Sequence, residues 1–167
     1  MAITLEPAGL GHVEEVQRYA SDPVMGETVN FPSPYPPDGA AQWARRTVER
    51  RAAGREYVFA VLEGGSLVGV CGLVDVADGS AELGYWVGRP FWGRGYATEA
   101  ARMVLRFGFE ELGLAKVTAR CLERNPASYR VLEKAGMRFE GWRPCAHPKW
   151  GASERDACFA IKKDEWR

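Results

Sequence analysis

Histidine is scarce in this chain, with His12 and His147 alone, and cysteine is thinly spread. Cys71, Cys121, Cys145 and Cys158 stand too far apart for a metal knuckle or a Cys-x-x-Cys redox pair, so most of them read as buried thiols and no metal site is expected. There is no charge imbalance either. The 22 acidic side chains match 22 basic ones, which removes any global pull toward nucleic acid or an anionic membrane, and neither is expected as a partner. No stretch reaches the ~20 apolar residues of a membrane span. The opening Met-Ala-Ile-Thr-Leu-Glu-Pro lacks the basic start and long apolar run of a signal peptide, so a cytoplasmic protein is expected. Repeats and low-complexity segments are absent. At 167 residues, residues 1–167 are expected to make a single domain with one real core.

The chain opens with a strand, Ile3 to Glu6, ended by Pro7, and a helix over His12 to Tyr19 with Val13 and Val16 inward and His12 on the surface. Residues 22–38 hold five of the ten prolines, which makes an irregular, stiffened loop. Asp38 then caps a second helix, Ala40 to Arg51. Tyr57 to Leu62 and Ser66 to Val74 are apolar runs joined by Glu63-Gly64-Gly65, a tight hairpin, and Asp78-Gly79 turns the chain into a third strand. Lys116 to Leu122, Met137 to Trp142 and Arg155 to Ile161 are further strands. Antiparallel strands in a row, then helices interleaved with strands, give an α+β class: a mixed, mostly antiparallel central sheet flanked by helices.

The stretch from Ala81 to Thr98 carries the chemistry. Ala81, Leu83, Tyr85 and Val87 alternate with Glu82, Gly84 and Trp86, the period of a two-faced strand. A loop follows, then a helix from about Ala97 to Leu112 with Ala100, Met103, Val104 and Phe107 as its apolar stripe. Between them, Gly93-Arg94-Gly95 lets backbone N–H groups approach a ligand beside a helix N-terminus, which suits a phosphate. Gly88 to Gly93 has the glycine spacing of an ATP-binding loop, but Arg94-Gly95 stands where Lys and Ser or Thr are required. A dinucleotide fingerprint fails as well, because Thr98 occupies the place of its third small residue.

Trp92-Gly93-Arg94-Gly95-Tyr96-Ala97 resembles the acetyl-coenzyme A loop of the GCN5-related N-acetyltransferases, and Trp-Gly-Arg-Gly-Tyr-Ala-Thr-Glu-Ala is close to the branch containing the ribosomal-protein N-terminal acetyltransferases. A second signature of that family is matched by Asn125-Pro126-Ala127-Ser128, with Met137 where Phe is usual. The resemblance covers Tyr57 to Glu165 and implies the fold of that family, with residues 1–56 forming the acceptor side. It implies acetyl-coenzyme A as cosubstrate, held by Tyr85, Trp86 and Val87 along the pantetheine arm, by Trp92, Gly93, Arg94, Gly95, Tyr96, Ala97 and Thr98 at the pyrophosphate, and by Asn125 and Ser128. The implied acceptor is an amine, either a small molecule or a protein N-terminus. The alternative is a coenzyme A-binding module without turnover, since Leu132 stands where many relatives carry the tyrosine that protonates the thiolate.

Acetyl transfer needs a base and a proton source. Glu82, near the cofactor-binding end of its strand, is the leading base, ahead of Glu27, Asp156 and His147. Ser128 is the candidate proton relay. Phe31 and Tyr35, in the proline-rich loop, are the expected acceptor contacts. The sequence leaves both a monomer and a homodimer open.

Overall fold

The first half of the sheet grows by hairpins, since each apolar run ends in a turn that forces the chain back on itself. The computed structural model describes residues 2–167. Strand β1 (Thr4–Pro7) pairs with β2 (Tyr57–Glu63), which pairs with β3 (Ser66–Ala77), which pairs with β4 (Ser80–Val87), all antiparallel. The chain then crosses through helix α3 (Tyr96–Glu110) into β5 (Lys116–Leu122), which lies parallel to β4. After helix α4 (Pro126–Lys134), strands β6 (Arg138–Pro144) and β7 (Arg155–Lys162) complete a seven-stranded sheet in the order β1-β2-β3-β4-β5-β7-β6.

Each face of the sheet is covered by two helices. On one, Ala100, Val104, Leu105 and Phe109 of α3 and Leu132 of α4 pack on Phe59, Val61, Leu73 and Leu83. On the other, α1 (Val13–Ala20) and α2 (Gly39–Ala52) bring Val16 and Ala40 onto Val58, Ala60, Leu62 and Val70. Burying side chains of this kind contributes on the order of 1.5–3 kcal/mol each, so the two clusters lock the helices to opposite faces. No helix among the described residues is long and apolar enough to cross a membrane.

Two local expectations are corrected. His12 is not a surface helix residue: it ends a 3-10 turn before α1, is buried, and joins Glu6 Oε1 at 2.8 Å while its Nδ1 accepts from the Gly9 N–H. Asp38 stands at the N-cap of α2 but its carboxylate accepts from the Gln42 side chain instead of the helix backbone. The orphan Ala40 N–H is taken by Gln17 Oε1 of α1 at 3.0 Å, a tertiary contact that no local cap motif announces.

Candidate active site

A split in the sheet creates the site. Strands β4 and β5 pair only from Ser80/Lys116 to Leu83/Ala119. Beyond that point β4 stays bonded to β3 as far as Val87, and β5 stays bonded to β7 as far as Leu122. Gly84 to Val87 and Arg120 to Leu122 therefore flank a wedge in which each strand offers an edge without its former neighbour. The wedge opens into a cleft of about 1040 Å³.

One end of the cleft presents backbone N–H groups without a side-chain cap. Gly93 and Gly95 both sit at positive φ, 78° and 81°, the left-handed region in which a side chain is strained. Gly95 is the N-cap of α3 and has no side chain to offer, so the N–H groups of the first turn, Tyr96 to Thr98, have no side-chain cap. A Cβ added at Gly93 would meet nothing within 4 Å, so this backbone faces open space. Trp92 fixes the loop through Nε1, which donates to the Val87 carbonyl at 2.8 Å, leaving the indole half exposed. Arg94 lies 5.9 Å from the Phe91 ring. Tyr96 packs its own ring into the core, so what it can give a ligand here is backbone.

The middle of the cleft holds a hydroxyl pair. Tyr85 reaches across from β4 so that its phenol oxygen lies 2.7 Å from Ser128 Oγ in the first turn of α4. Burial pushes the Tyr85 phenol well above its ordinary range, against the opposing effect of the Ser128 bond, so it stays protonated. The Cys121 thiol beside it is pushed up to about 11, mainly by burial, and is a neutral thiol at working pH. Asn125 caps α4, its Oδ1 accepting from the Ser128 N–H at 3.3 Å, which holds Ser128 in place.

The other end lies on the α1/α2 face. Trp86 packs among the residues of that face, and Phe31 meets it edge-on at 5.9 Å while also meeting Tyr35 at 5.3 Å. Burial raises the Tyr35 phenol above its usual value, and the Arg46 charge works against it. Gly84, between Glu82 and Trp86, has no atom within 4 Å of where a Cβ would project, so it leaves floor space. The loop carrying Phe31 is clamped by Lys149, whose ammonium donates to the carbonyls of Gly26, Val29 and Phe31 at 2.6, 2.9 and 2.7 Å. All three lysine donors are thereby used.

Glu82 lines the cleft and is held by Arg120, whose Nε and one terminal nitrogen lie 2.8 and 3.4 Å from its two oxygens. That bond raises Arg120 above its usual value. His147 also lines the cleft, but its Nδ1 accepts from the Lys149 N–H at 3.1 Å, which puts the neutral ring's proton on Nε2 and leaves it no free lone pair. Glu27 is exposed at the rim. The sequence reading had no role for Lys149 or Arg120. A lysine after His-Pro carries no local sign of clamping a loop over a hundred residues earlier, and Arg120 meets Glu82 only because β4 and β5 are neighbours.

The wedge, the glycine turn and the uncapped helix make the candidate site, and the comparisons give the family to which the chain belongs. The model of the acetyltransferase (GNAT) domain matches residues 2–138. The chain belongs to that family and is an acetyltransferase of it. It is 41% identical over 86 residues to the uncharacterized N-acetyltransferase YnaD of Bacillus subtilis, covering 51% of this chain and 50% of that one. Its fold matches RimL, a ribosomal L7/L12 alpha-N-protein acetyltransferase in complex with coenzyme A, with a TM-score of 0.88 at 15% identity over 99% of this chain and 96% of that one. Spermidine N-acetyltransferase from Vibrio cholerae, in complex with CoA and spermine, has the same fold, with a TM-score of 0.84 at 19% identity over 98% and 96% of the two chains.

Proposed function

We propose that this protein transfers the acetyl group of acetyl-coenzyme A to a primary amine, by direct attack of the neutral amine on the thioester. The observation that carries the proposal is the split between β4 and β5 with an uncapped α3 N-terminus at one end of the cleft and an aromatic, carboxylate-bearing face at the other. The residues present fit the coenzyme. The backbone around Gly93 and Gly95, with Ala97 and Thr98, would take the pyrophosphate, and the free edge from Tyr85 to Val87 would bond the pantetheine arm as a further strand. An N–H of that edge would also face the oxyanion of the tetrahedral intermediate, a contact whose loss typically costs ~100-fold or more.

In the reaction the ammonium first gives a proton to a carboxylate of the α1/α2 face. The amine nitrogen then bonds the carbonyl carbon, its second surplus proton leaves to water, the carbon–sulfur bond breaks, and the thiolate takes one proton, which water restores to the group that gave it. Tyr85 and Ser128 together offer the hydroxyl from which the thiolate is protonated. This supplies from β4 what Leu132, fully buried in the core, does not supply from α4. Glu82 already accepts from Arg120 at both its oxygens, a direct contact that the Asp156 carboxyl lacks.

RimL acts on a protein N-terminus and the Vibrio enzyme on a polyamine, so the acceptors to test are peptides with free N-termini, polyamines and amino sugars. The expected result is thiol release from acetyl-coenzyme A that depends on one of these amines, and a melting temperature that rises with coenzyme concentration. A protein whose melting temperature rises with ATP and not with the coenzyme refutes the reading. One that binds the coenzyme and acetylates no amine is a binding module instead.

A further inference from the structure

One buried carboxyl group in the cleft has no hydrogen-bond partner among the described residues. Asp156 sits at the start of β7, opposite Leu122 of β5, and is 6% exposed. No described residue donates a hydrogen bond to its carboxylate or forms an ion pair with it within 4 Å, although every sealed side-chain oxygen and nitrogen among the described residues is satisfied. Its oxygens are therefore not sealed. They retain access to the cleft that Asp156 lines. A carboxylate whose oxygens open into the cleft and accept no hydrogen bond from the protein keeps its acceptor sites for a ligand that enters there.

Register places it with the acceptor. Thr118, Arg120 and Leu122 alternate onto one face of β5, and their partners are Glu82 on β4 for Thr118, and Ala160, Cys158 and Asp156 on β7 for the three in turn. Asp156 and Glu82 thus share the face covered by α1 and α2, opposite the face on which Tyr85 meets Ser128. Of the described charged and titratable neighbours, none bonds it directly. Arg120 hydrogen-bonds Glu82 and reaches Asp156 through its charge alone, Arg143 stands across on β6 but is exposed and makes no ion pair with it, and the Cys121 and Cys158 thiols are held protonated by burial.

We infer that Asp156 is the carboxylate that receives the acceptor's ammonium group and takes its proton, with Glu82 acting through Arg120 as a positioning residue. The inference rests on the acetyltransferase reading and names the acceptor class within it: a primary amine that arrives charged. The proton that leaves nitrogen goes to an Asp156 oxygen and from there to water. The neutral nitrogen is left to attack.

The test uses the full chain and whichever amine of the panel gives the highest wild-type kcat/KM, paired with the hydrazide of the same skeleton, which is uncharged at pH 7.5. Asp156→Asn is expected to keep the coenzyme-dependent rise in melting temperature, to lose roughly 100- to 10,000-fold in kcat/KM with the amine, and to lose at least tenfold less with the hydrazide. Glu82→Gln is expected to lose less than Asp156→Asn with the amine and equally with both acceptors. Equal losses on amine and hydrazide for Asp156→Asn, or near-normal turnover, overturn the inference. If Asp156→Asn gives no cooperative melt, Asp156→Ser is read by the same criteria. A wild-type protein that binds coenzyme and acetylates no amine refutes the acetyltransferase reading, and this inference falls with it.

Discussion

Replacing Lys149 by methionine should loosen the acceptor side of the cleft while leaving the coenzyme side alone. The lysine ammonium is bonded to three carbonyls of the loop that carries Phe31, and it reaches them from the segment between β6 and β7. A hydrogen bond to a charged group is worth ~1.5–3 kcal/mol, and the partial exposure of this lysine brings each closer to about 1 kcal/mol, so the clamp contributes on the order of 2–3 kcal/mol to loop closure. Methionine keeps the length and much of the volume and removes every donor. At about 1.4 kcal/mol per factor of ten, the closed-to-open ratio of the loop falls by roughly 30- to 100-fold.

Part of that loss is absorbed by the contacts that remain, Phe31 on Tyr35 and on Trp86, each worth ~0.5–1.5 kcal/mol beyond area burial. The apparent affinity for the acceptor scales with the fraction of molecules in the competent state, so an acceptor KM raised about tenfold is expected. Coenzyme affinity should stay within about twofold, because no clamp contact touches residues 93–98 and distant sites behave additively. Hydrogen exchange followed by mass spectrometry gives the structural readout: amides of residues 24–31 should exchange at least tenfold faster in the variant while those of α3 do not change. Unaltered exchange with an unaltered acceptor KM would refute the clamp. Equal losses of coenzyme and acceptor affinity would show that Lys149 supports the whole fold.

Three other outcomes follow from the same geometry. Gly95→Val puts a β-branched side chain at φ 81°, a strain of roughly 1–2 kcal/mol that should lower the melting temperature by about 2–8 °C and, separately, abolish its rise with coenzyme; calorimetry checks both. Tyr85→Phe and Ser128→Ala should each lower kcat roughly 10- to 100-fold with coenzyme affinity retained, and the double variant should be no worse than the poorer single one, because the two hydroxyls act as one unit. The Cys121 thiol holds its proton to about pH 11 when folded and to an ordinary value near 9.0 when unfolded. The unfolded chain loses that proton first, so this group's contribution to stability is present below about pH 9 and declines as pH rises toward 11. Denaturant unfolding of the wild type and Cys121→Ala across that range should converge as pH rises.

The architecture was largely readable because periodicity is local. The Ala81 to Val87 alternation, the Gly64-Gly65 and Asp78-Gly79 turns, and Asn125-Pro126 opening α4 each declare themselves within a few residues, and β5 runs over the predicted Lys116–Leu122. Where the reading slipped, a tertiary partner had overruled a local rule: Gln17 does the capping that Asp38 suggested, and Glu6 draws His12 inside. The glycine turn could be read as an anion site because its chemistry is backbone chemistry, carried by one short stretch. The charged groups of the acceptor end could not be ranked that way. Glu82 looked like the base on its strand position alone, and only the adjacency of β4, β5 and β7 shows that Arg120 has engaged it and that Asp156 is left open.

That adjacency also orders the proposed chemistry across the sheet. Beyond Leu83/Ala119 the two strands no longer pair, so a thioester lying between them would present one side to each face. Tyr85 and Ser128 are on the α3/α4 side, where a phenol kept neutral by burial can give a proton. Glu82, Arg120 and Asp156 are on the α1/α2 side, which Phe31, Tyr35 and Trp86 wall. On this proposal an amine enters from the loop side and is deprotonated there, while the thiolate is protonated from behind the sheet. Base and acid need no contact with each other, and the two can carry different protonation states at one pH because the β4 and β5 backbones separate them. The same separation explains how a coenzyme site written in one glycine turn can coexist with an acceptor site assembled from four separate elements. On this proposal, changes in the loop or at Lys149 are expected to alter how the amine is taken while leaving the proposed thioester slit as it was.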